Sequence, residues 1–393
     1  MNSKEIIRES IKENSNKLSE LSKKIHSNPE LGFEEKKACK WQLEILKELG
    51  FKIENPFCGL DTAYKATKGK GKPNIAFLAE YDALPDIGHA CGHNLIAPCS
   101  IAAAEALYKA LEKSKIDGTV TLFGTPAEEG KGGKVKIAEK QGFKDIELFL
   151  MAHPSYVTSE YSGFLAIRRF FVEFFGKSSH ASASPEEGLN ALDAVTLLFA
   201  GINAMRQHFK DKTRIHGIIN SGGSAPNIIP DYTSATFYLR SPTEKYLKVM
   251  IQKFRKIVEG AALMTGVKSK ITEGKKDSYK AGLVVNALNR DYIELAREIG
   301  LEKITDKKDE LGSSDFGNVS QIAPGLHAYF CACRENYPLH SKKFRDNAVK
   351  VFAIESMFKA AEAIANIGLK FCIDKKYREE IRTEFEKNKK NMC

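Results

Sequence analysis

Ala79-Glu80-Tyr81-Asp82-Ala83-Leu84-Pro85-Asp86-Ile87-Gly88-His89-Ala90-Cys91-Gly92-His93-Asn94 is the stretch on which the reading of this chain turns. The run before it, Asn74-Ile75-Ala76-Phe77-Leu78, is short, apolar and preceded by Gly71 and Pro73, the pattern of a buried strand. Such a strand delivers Asp82, Cys91 and His93 to its carboxyl end, where open α/β sheets build their sites. Small residues, Ala90 and Gly92, separate the potential ligands. If the segment is extended, alternate residues point the same way and Cys91 and His93 address one point. Taken alone, the pair reads equally well as a buried thiol beside a hydrogen-bonded imidazole. Acids and histidines further along decide between the two.

Three more apolar runs end in the same way. Thr119-Val120-Thr121-Leu122-Phe123 leads into Pro126-Ala127-Glu128-Glu129-Gly130, where two adjacent carboxylates would repel unless one binds a metal and the other handles protons. Leu148-Phe149-Leu150-Met151 delivers His153, and the strand expected from Leu326 to Cys333 leads on to His340. Strand after strand terminating in metal-ligand types is a stronger signal than any one motif. Around these strands, apolar residues recur at helical spacing over 4–25, about 34–49 and 96–111, and again over 346–370; the Lys/Glu-rich remainder reads as a solvated helix or tail. Leu311 to Gly317 reads as a loop.

Between these blocks the pattern changes. A strand at Phe170–Phe175 precedes a helix expected to start at Ser184, with Pro185 in its first turn and Glu187 completing a capping box, and to run to about His208. Strands near 213–220 and 232–240, a helix over about 243–264 and a strand near 267–273 follow. The order β-α-β-β-α-β predicts a ferredoxin-like insert. At 393 residues the chain exceeds one ordinary core, so two domains are expected: 1–165 with 280–393, and the insert 166–279.

Composition excludes several classes. The chain is 42% hydrophobic and 28% charged, with no low-complexity tract. No run is long enough for a transmembrane helix and no apolar leader opens the chain, so neither a membrane nor a secretory route is expected. The net charge of +10 comes from lysines spread along the chain and interleaved with Glu, without the aromatic-basic clustering of a nucleic-acid surface. Eight scattered cysteines, with no short-spaced framework, read as reduced and point to the cytoplasm; Cys331-Ala332-Cys333 reads as strand packing.

The motifs resemble those of the M20 metallo-amidohydrolases, the group of aminoacylase, hippurate hydrolase, auxin-conjugate hydrolases and aminobenzoyl-glutamate hydrolases. The match rests on Glu80–Pro85 with His89–Asn94, on His26-Ser27-Asn28-Pro29-Glu30-Leu31-Gly32, on Pro126–Gly130, and on His153 and Ser179-His180-Ala181. Gly223–Pro230 and Ser314–Ser320, with the spacing to His340, complete it in the same order and look closest to the dipeptidase-like branch. The resemblance implies a mostly parallel mixed-sheet catalytic domain of metallopeptidase type with an inserted dimerisation or lid domain, and hence a homodimer. It implies two divalent metal ions held by Cys91, His93, Glu129, His153 and His340, with Glu128 as general base. Cys91 stands where other branches use a bridging aspartate, which leaves Zn²⁺ and Mn²⁺ both open. His89 is a rival ligand, better suited to supporting one.

Asp82 is expected to accept a hydrogen bond from a ligating imidazole and fix its tautomer. The resemblance also implies that His180 reaches the partner subunit's site and stabilises an oxyanion. Asn227 and Arg240 are candidates for the substrate carboxylate, since a guanidinium grips a carboxylate with two parallel bonds, and Asn318 for shaping the substrate loop. The function so implied is hydrolysis of an N-acyl amino acid or dipeptide. The alternatives are hydrolysis of aminobenzoyl-glutamate fragments, or a catalytically inert relative, which would be expected to lack Glu128 or a ligand.

Overall fold

Ile75, Ala76, Phe77, Leu78 and Ala79 are all fully buried, because their strand lies inside a sheet covered on both faces. The computed structural model describes residues 2–305 and 312–392. The chain divides into two units, the first built from residues up to Gly163 and from Gly282 onward, the second essentially from Phe164–Ala281.

In chain order the strands of the first unit are β1 (Lys52–Glu54), β2 (Tyr64–Lys70), β3 (Asn74–Ala79), β4 (Gly118–Gly124) and β5 (Leu148–Ser155). The second unit holds β6 (Ala166–Phe175), β7 (Arg214–Ser221), β8 (Tyr232–Ser241) and β9 (Lys268–Tyr279), and β10 (Gly325–Cys331) returns to the first. The first sheet runs β1-β2-β4-β3-β5-β10; β4, β3, β5 and β10 are parallel, and β1 and β2 form an antiparallel margin. Parallel strands require crossovers, and the helix His93–Lys113 supplies the one between β3 and β4. Its alanines at 102–104 and 106 are buried, so the helices Ser3–Ser27 and Val351–Ile373 pack closely against it.

The second unit has the order β7-β8-β6-β9, entirely antiparallel, with helices Ala191–Met205 and Glu244–Thr265 on one face. This is the ferredoxin-like arrangement. Phe170, Val172, Phe174, Ala235, Phe237 and Leu239 alternate inward and pack against Leu198, Met250, Phe254 and Val258 of the two helices.

Several expectations are corrected. Ser184 makes no side-chain cap; Pro185–Glu187 is an isolated 3₁₀ turn, and the helix begins at Ala191, where Asn190 accepts the Leu192 N–H at 2.9 Å. The expected 346–370 helix is two elements, Lys342–Asn347 and Val351–Ile373. The Lys/Glu-rich end is a helix, Lys375–Met392, that buries Tyr377, Ile381 and Phe385 rather than lying free in solvent. Within the loop expected over 311–317, residue 311 lies outside the described residues and Phe316 already opens a helical turn, Phe316–Val319. Among the described residues every cysteine is unpaired, and no helix is long and apolar enough to cross a membrane.

Candidate metal centre

The carboxyl ends of β3, β4 and β5 converge because the strands are parallel and adjacent. Asp82 and Cys91 follow β3, the Glu128–Glu129 pair follows β4, and His153 lies near the end of β5. His93 is not in an extended segment, as the alternation argument required. It is the first residue of the helix His93–Lys113, and Gly92 before it has φ +79°. That left-handed turn, natural to glycine, swings Cys91 and His93 toward one point instead. A Cβ on Gly92 would also meet Pro154 Cγ at 2.5 Å.

Three sets of potential donor atoms each lie within 4.8 Å of one another: Cys91, His93 and His153; Cys91, Glu129 and His340; His93, Glu128 and Glu129. Cys91 Sγ is 3.6 Å from His153 Nε2, and His340 Nε2 is 3.4 Å from Glu129 Oε1. His93 Nδ1 lies 3.0 Å from Asp82 Oδ1 and 3.0 Å from the Asp82 carbonyl oxygen, so Nδ1 donates there, and in the neutral ring Nε2 is the atom left to act as a ligand. Asp82 Oδ2 accepts the Glu129 N–H at 2.9 Å and so ties the β3 loop to the glutamate loop.

Burial opposes ionisation of Asp82, but His93 and the Glu129 N–H more than offset it and hold the carboxyl below its usual range. Burial and the neighbouring His93 lower His153 to about 4, which keeps its imidazole neutral. Burial pushes the Cys91 thiol up. Glu128 is held well above the usual carboxyl range by burial and by the charges of Glu80, Glu129 and Asp315.

These residues fit divalent metal ions. His93 Nε2 and Glu129 Oε1 are buried and make no hydrogen bond, an arrangement that costs free energy unless a cation faces them. The donors are one thiol, three imidazoles and carboxylates, the set that Zn²⁺ and similar ions take. His89 is buried beside His26, with ring centroids 6.3 Å apart, and is absent from the donor sets.

The remaining site candidates are divided between the two units. His180, Asn227 and Arg240 lie in the second unit. His180 pairs with Ile228 across an isolated bridge, and Asn227 O accepts the Ala181 N–H at 3.0 Å, so His180 and Asn227 are neighbours. The N–H groups of Ser182 and Ala183 donate to His180 Nδ1 at 3.3 and 3.2 Å, which leaves its Nε2 as the ring's donor in the neutral form. Arg240 Nη1 donates to Ser313 Oγ at 3.2 Å, while its Nε is buried without a partner. Asn318 sits in the Phe316–Val319 turn, its N–H on Asp315 O at 3.0 Å.

Two groups at the site carry no sequence signal. Lys134 is fully buried, with Nζ 2.5 Å from Glu80 Oε1 and 2.6 Å from Asp315 Oδ1. Glu80 Oε2 in turn is 3.5 Å from His93 Nε2. Glu35, fully buried, accepts the Ala127 N–H at 2.8 Å and the Thr62 hydroxyl at 3.0 Å. A lysine and a glutamate in charged helical text look solvated; only their surroundings reveal them.

Comparison with known proteins gives the chain's relatives. Residues 166–264 match a family described as the peptidase dimerisation domain. The chain is 37% identical to the Xaa-Arg dipeptidase of Mus musculus, over 96% of this chain and 91% of that one. It is 34% identical to one of the p-aminobenzoyl-glutamate hydrolase subunits of Escherichia coli (strain K12), over 66% of this chain and 58% of that one. Among solved structures, a Bacillus subtilis protein described as a dinuclear metal binding peptidase from the M20 family superposes with a TM-score of 0.70 at 19% identity, covering 91% of this chain and 99% of that one. The chain therefore belongs to the M20 peptidase family and is a metal-dependent amide hydrolase.

Proposed function

We propose that this enzyme hydrolyses the amide bond of a dipeptide or N-acyl amino acid bearing a free carboxylate, with Glu128 as general base. The observation that carries the reading is the pair Glu128–Glu129 at the end of β4, gathered with His93 into one donor set while Cys91 and His153 complete a neighbouring one. Cys91, His93, Glu129, His153 and His340 would hold two divalent ions, with Zn²⁺ and Mn²⁺ the candidates. Bound there, the ions supply Lewis-acid polarisation of the amide carbonyl and acidify water.

The chain's own residues do the rest. Glu128 takes a proton from the attacking water and hands it to the leaving amine. Asp82 holds His93 in the tautomer whose Nε2 is bare. In the second unit, which we assign to dimerisation, His180 Nε2 offers a donor for the oxyanion of the partner subunit's substrate, and Arg240 and Asn227 offer contacts for its carboxylate. Asn318 is assigned to the substrate loop. The unpaired cysteines fit a reducing, cytoplasmic setting.

The relationship to the Xaa-Arg dipeptidase favours a dipeptide; that to the aminobenzoyl-glutamate hydrolase supports a second reading with an aryl amide. The test is a panel of Xaa-Arg dipeptides, N-acyl amino acids and aminobenzoyl-glutamate, with Zn²⁺ and Mn²⁺ added separately, run on the wild type and on Glu128→Gln. The variant is expected to keep its metals and to lose about 10²–10⁴ in rate. Near-normal turnover by metal-replete Glu128→Gln removes Glu128 from the role.

A further inference from the structure

The glutamate pair sits on an unusual turn. Ala127, directly before Glu128, has φ +60°, a left-handed conformation that a residue with a side chain adopts only when its surroundings impose it. What imposes it is the segment Glu30–Glu35, remote in sequence, which comes up against the turn from one side.

Four contacts make the grip. Glu35 Oε1 accepts the Ala127 N–H at 2.8 Å, and its other oxygen is held by the Thr62 hydroxyl at 3.0 Å. Gly32 lies so close that an added Cβ would stand 2.8 Å from Ala127 Cβ and 2.9 Å from its Cα. Lys131, just past the pair, donates from Nζ to Gly32 O at 2.7 Å. The segment is itself anchored: Glu30 O accepts the Ala83 N–H at 2.9 Å, and the Glu30 carboxylate takes the free N–H groups of Lys37 and Ala38 at the start of the next helix. Phe33, between Gly32 and Glu35, is also left-handed, with φ +67°. The segment so bridges the loop after β3 and the loop after β4, the two that carry Asp82 and Glu128.

We propose that Glu35, with Gly32 packed beneath Ala127, is a positioning residue for catalysis: it locks the left-handed turn that aims Glu128. This rests on Glu128 being the base, as proposed above. A buried carboxyl is suited to the task because Ala127 N–H has no water to turn to, and an unmade bond there frees the turn to relax toward an ordinary conformation. Burial and the charge of Asp82 raise the Glu35 carboxyl to about 7. The bond to Ala127 is compatible with both of its forms, since a protonated Oε2 donates to Thr62 Oγ1 while Oε1 still accepts.

The test compares Glu35→Leu, which removes the acceptor at similar volume, with Glu35→Gln, whose amide oxygen replaces it. Peptide-resolved hydrogen exchange over 124–131 is read on metal-loaded full-length enzyme, together with kcat, KM and metal content on an Xaa-Arg dipeptide. For Glu35→Leu, exchange in 124–131 should rise about tenfold with little change elsewhere. Its kcat should fall roughly 10- to 100-fold with KM and metal content unchanged. Glu35→Gln should retain most of the wild-type kcat and protection. If Glu35→Leu does not fold, Gly32→Ala decides: it leaves Glu35 in place but displaces Ala127, and should show the same kcat loss and local exchange.

Wild-type kcat and protection in the deciding variant overturn the proposal. So does a loss of metal in proportion to activity, which would mean that the segment supports the ligands rather than the base. Glu128→Gln, run alongside, separates the two ideas: if it turns over normally, the base assignment falls and this proposal with it. If Glu128→Gln is inactive while Glu35→Leu behaves as wild type, only the positioning role falls.

Discussion

Lys134→Met should destabilise the first unit severely, because it removes the cation from a dry cluster of acids. Lys134 Nζ stands 2.5 Å from Glu80 and 2.6 Å from Asp315, and the side chains of all three are at most 1% exposed. The Lys134 backbone N–H also reaches Asp315 Oδ2 at 2.9 Å, so the carboxylate is fixed from two directions. Burial works against the ammonium, yet Asp315, Glu80 and Glu128 together hold its affinity for protons above that of a free lysine.

Methionine matches the length and apolar stem of lysine, so packing changes little and the effect is electrostatic. Removing one partner of a buried pair costs about 3–5 kcal/mol, and the upper end applies here because two carboxylates lose the same partner. Set against a typical total of about 5–15 kcal/mol, that is a large fraction. The sole tryptophan, Trp41, lies in the helix Lys36–Glu48 of the same unit, so its fluorescence during urea unfolding of metal-free protein reports the change. Lys134→Met/Asp315→Asn should recover a substantial part, since one stranded charge is gone. A midpoint for Lys134→Met equivalent to within about 1 kcal/mol of wild type would refute the claim that the cluster needs its cation.

Cys91→Ser should lower metal occupancy after dialysis against a weak chelator, because a hydroxyl gives up its proton far less readily than a thiol; unchanged stoichiometry and affinity would remove Cys91 from the ligand set. Glu35 is raised from 4.5 to about 7, so its stabilising term is complete below about pH 4.5 and is lost as pH rises through about 7. The groups facing it are Asp82, Cys39 and Tyr81, with the Thr62 hydroxyl on one oxygen and the Ala127 N–H on the other. Glu35→Gln lacks the term, so its stability relative to wild type should grow by about 3 kcal/mol between pH 4.5 and 8 in metal-free urea unfolding, and parallel curves would contradict the assignment. Finally, Glu128→Gln and His180→Ala chains, each nearly inactive alone, should regain about a quarter of wild-type activity when unfolded and remixed in equal amounts, because half the dimers are mixed and each holds one intact site. Confirmed mixed dimers without recovery would mean that His180 does not serve the partner.

The sheet was legible in the sequence because β3, β4 and β5 are central parallel strands. Both of their faces are covered, so Ile75–Leu78, Thr119–Phe123 and Leu148–Met151 read as apolar runs. The ferredoxin-like order of the second unit was legible for a similar reason: strands and helices announce themselves by period. That potential donors would gather at the strand ends was legible too, since one strand after another ends in Cys, His or paired Glu, and Cys91, His93 and His153 do come together. Local signals misled where competing chemistry was close by. Ser184-Pro185-Glu186-Glu187 has the form of a capping box, but Asn190 holds the true cap. Cys91 and His93 look like alternating residues of an extended run, but a glycine turn joins them.

What only the tertiary structure decided is the support of the site. Lys134 and Glu35 are charged residues in stretches rich in charge, and nothing in a linear pattern separates a buried lysine from a solvated one. Their roles arise when the ends of separate segments meet: Asp315 from 181 positions away beside Lys134, and Glu35 from 92 positions away beneath Ala127. Periodicity reports whether a residue faces a core, because that depends on its own element. Which charges share that core depends on contacts across the whole chain, and those exist only once it has folded.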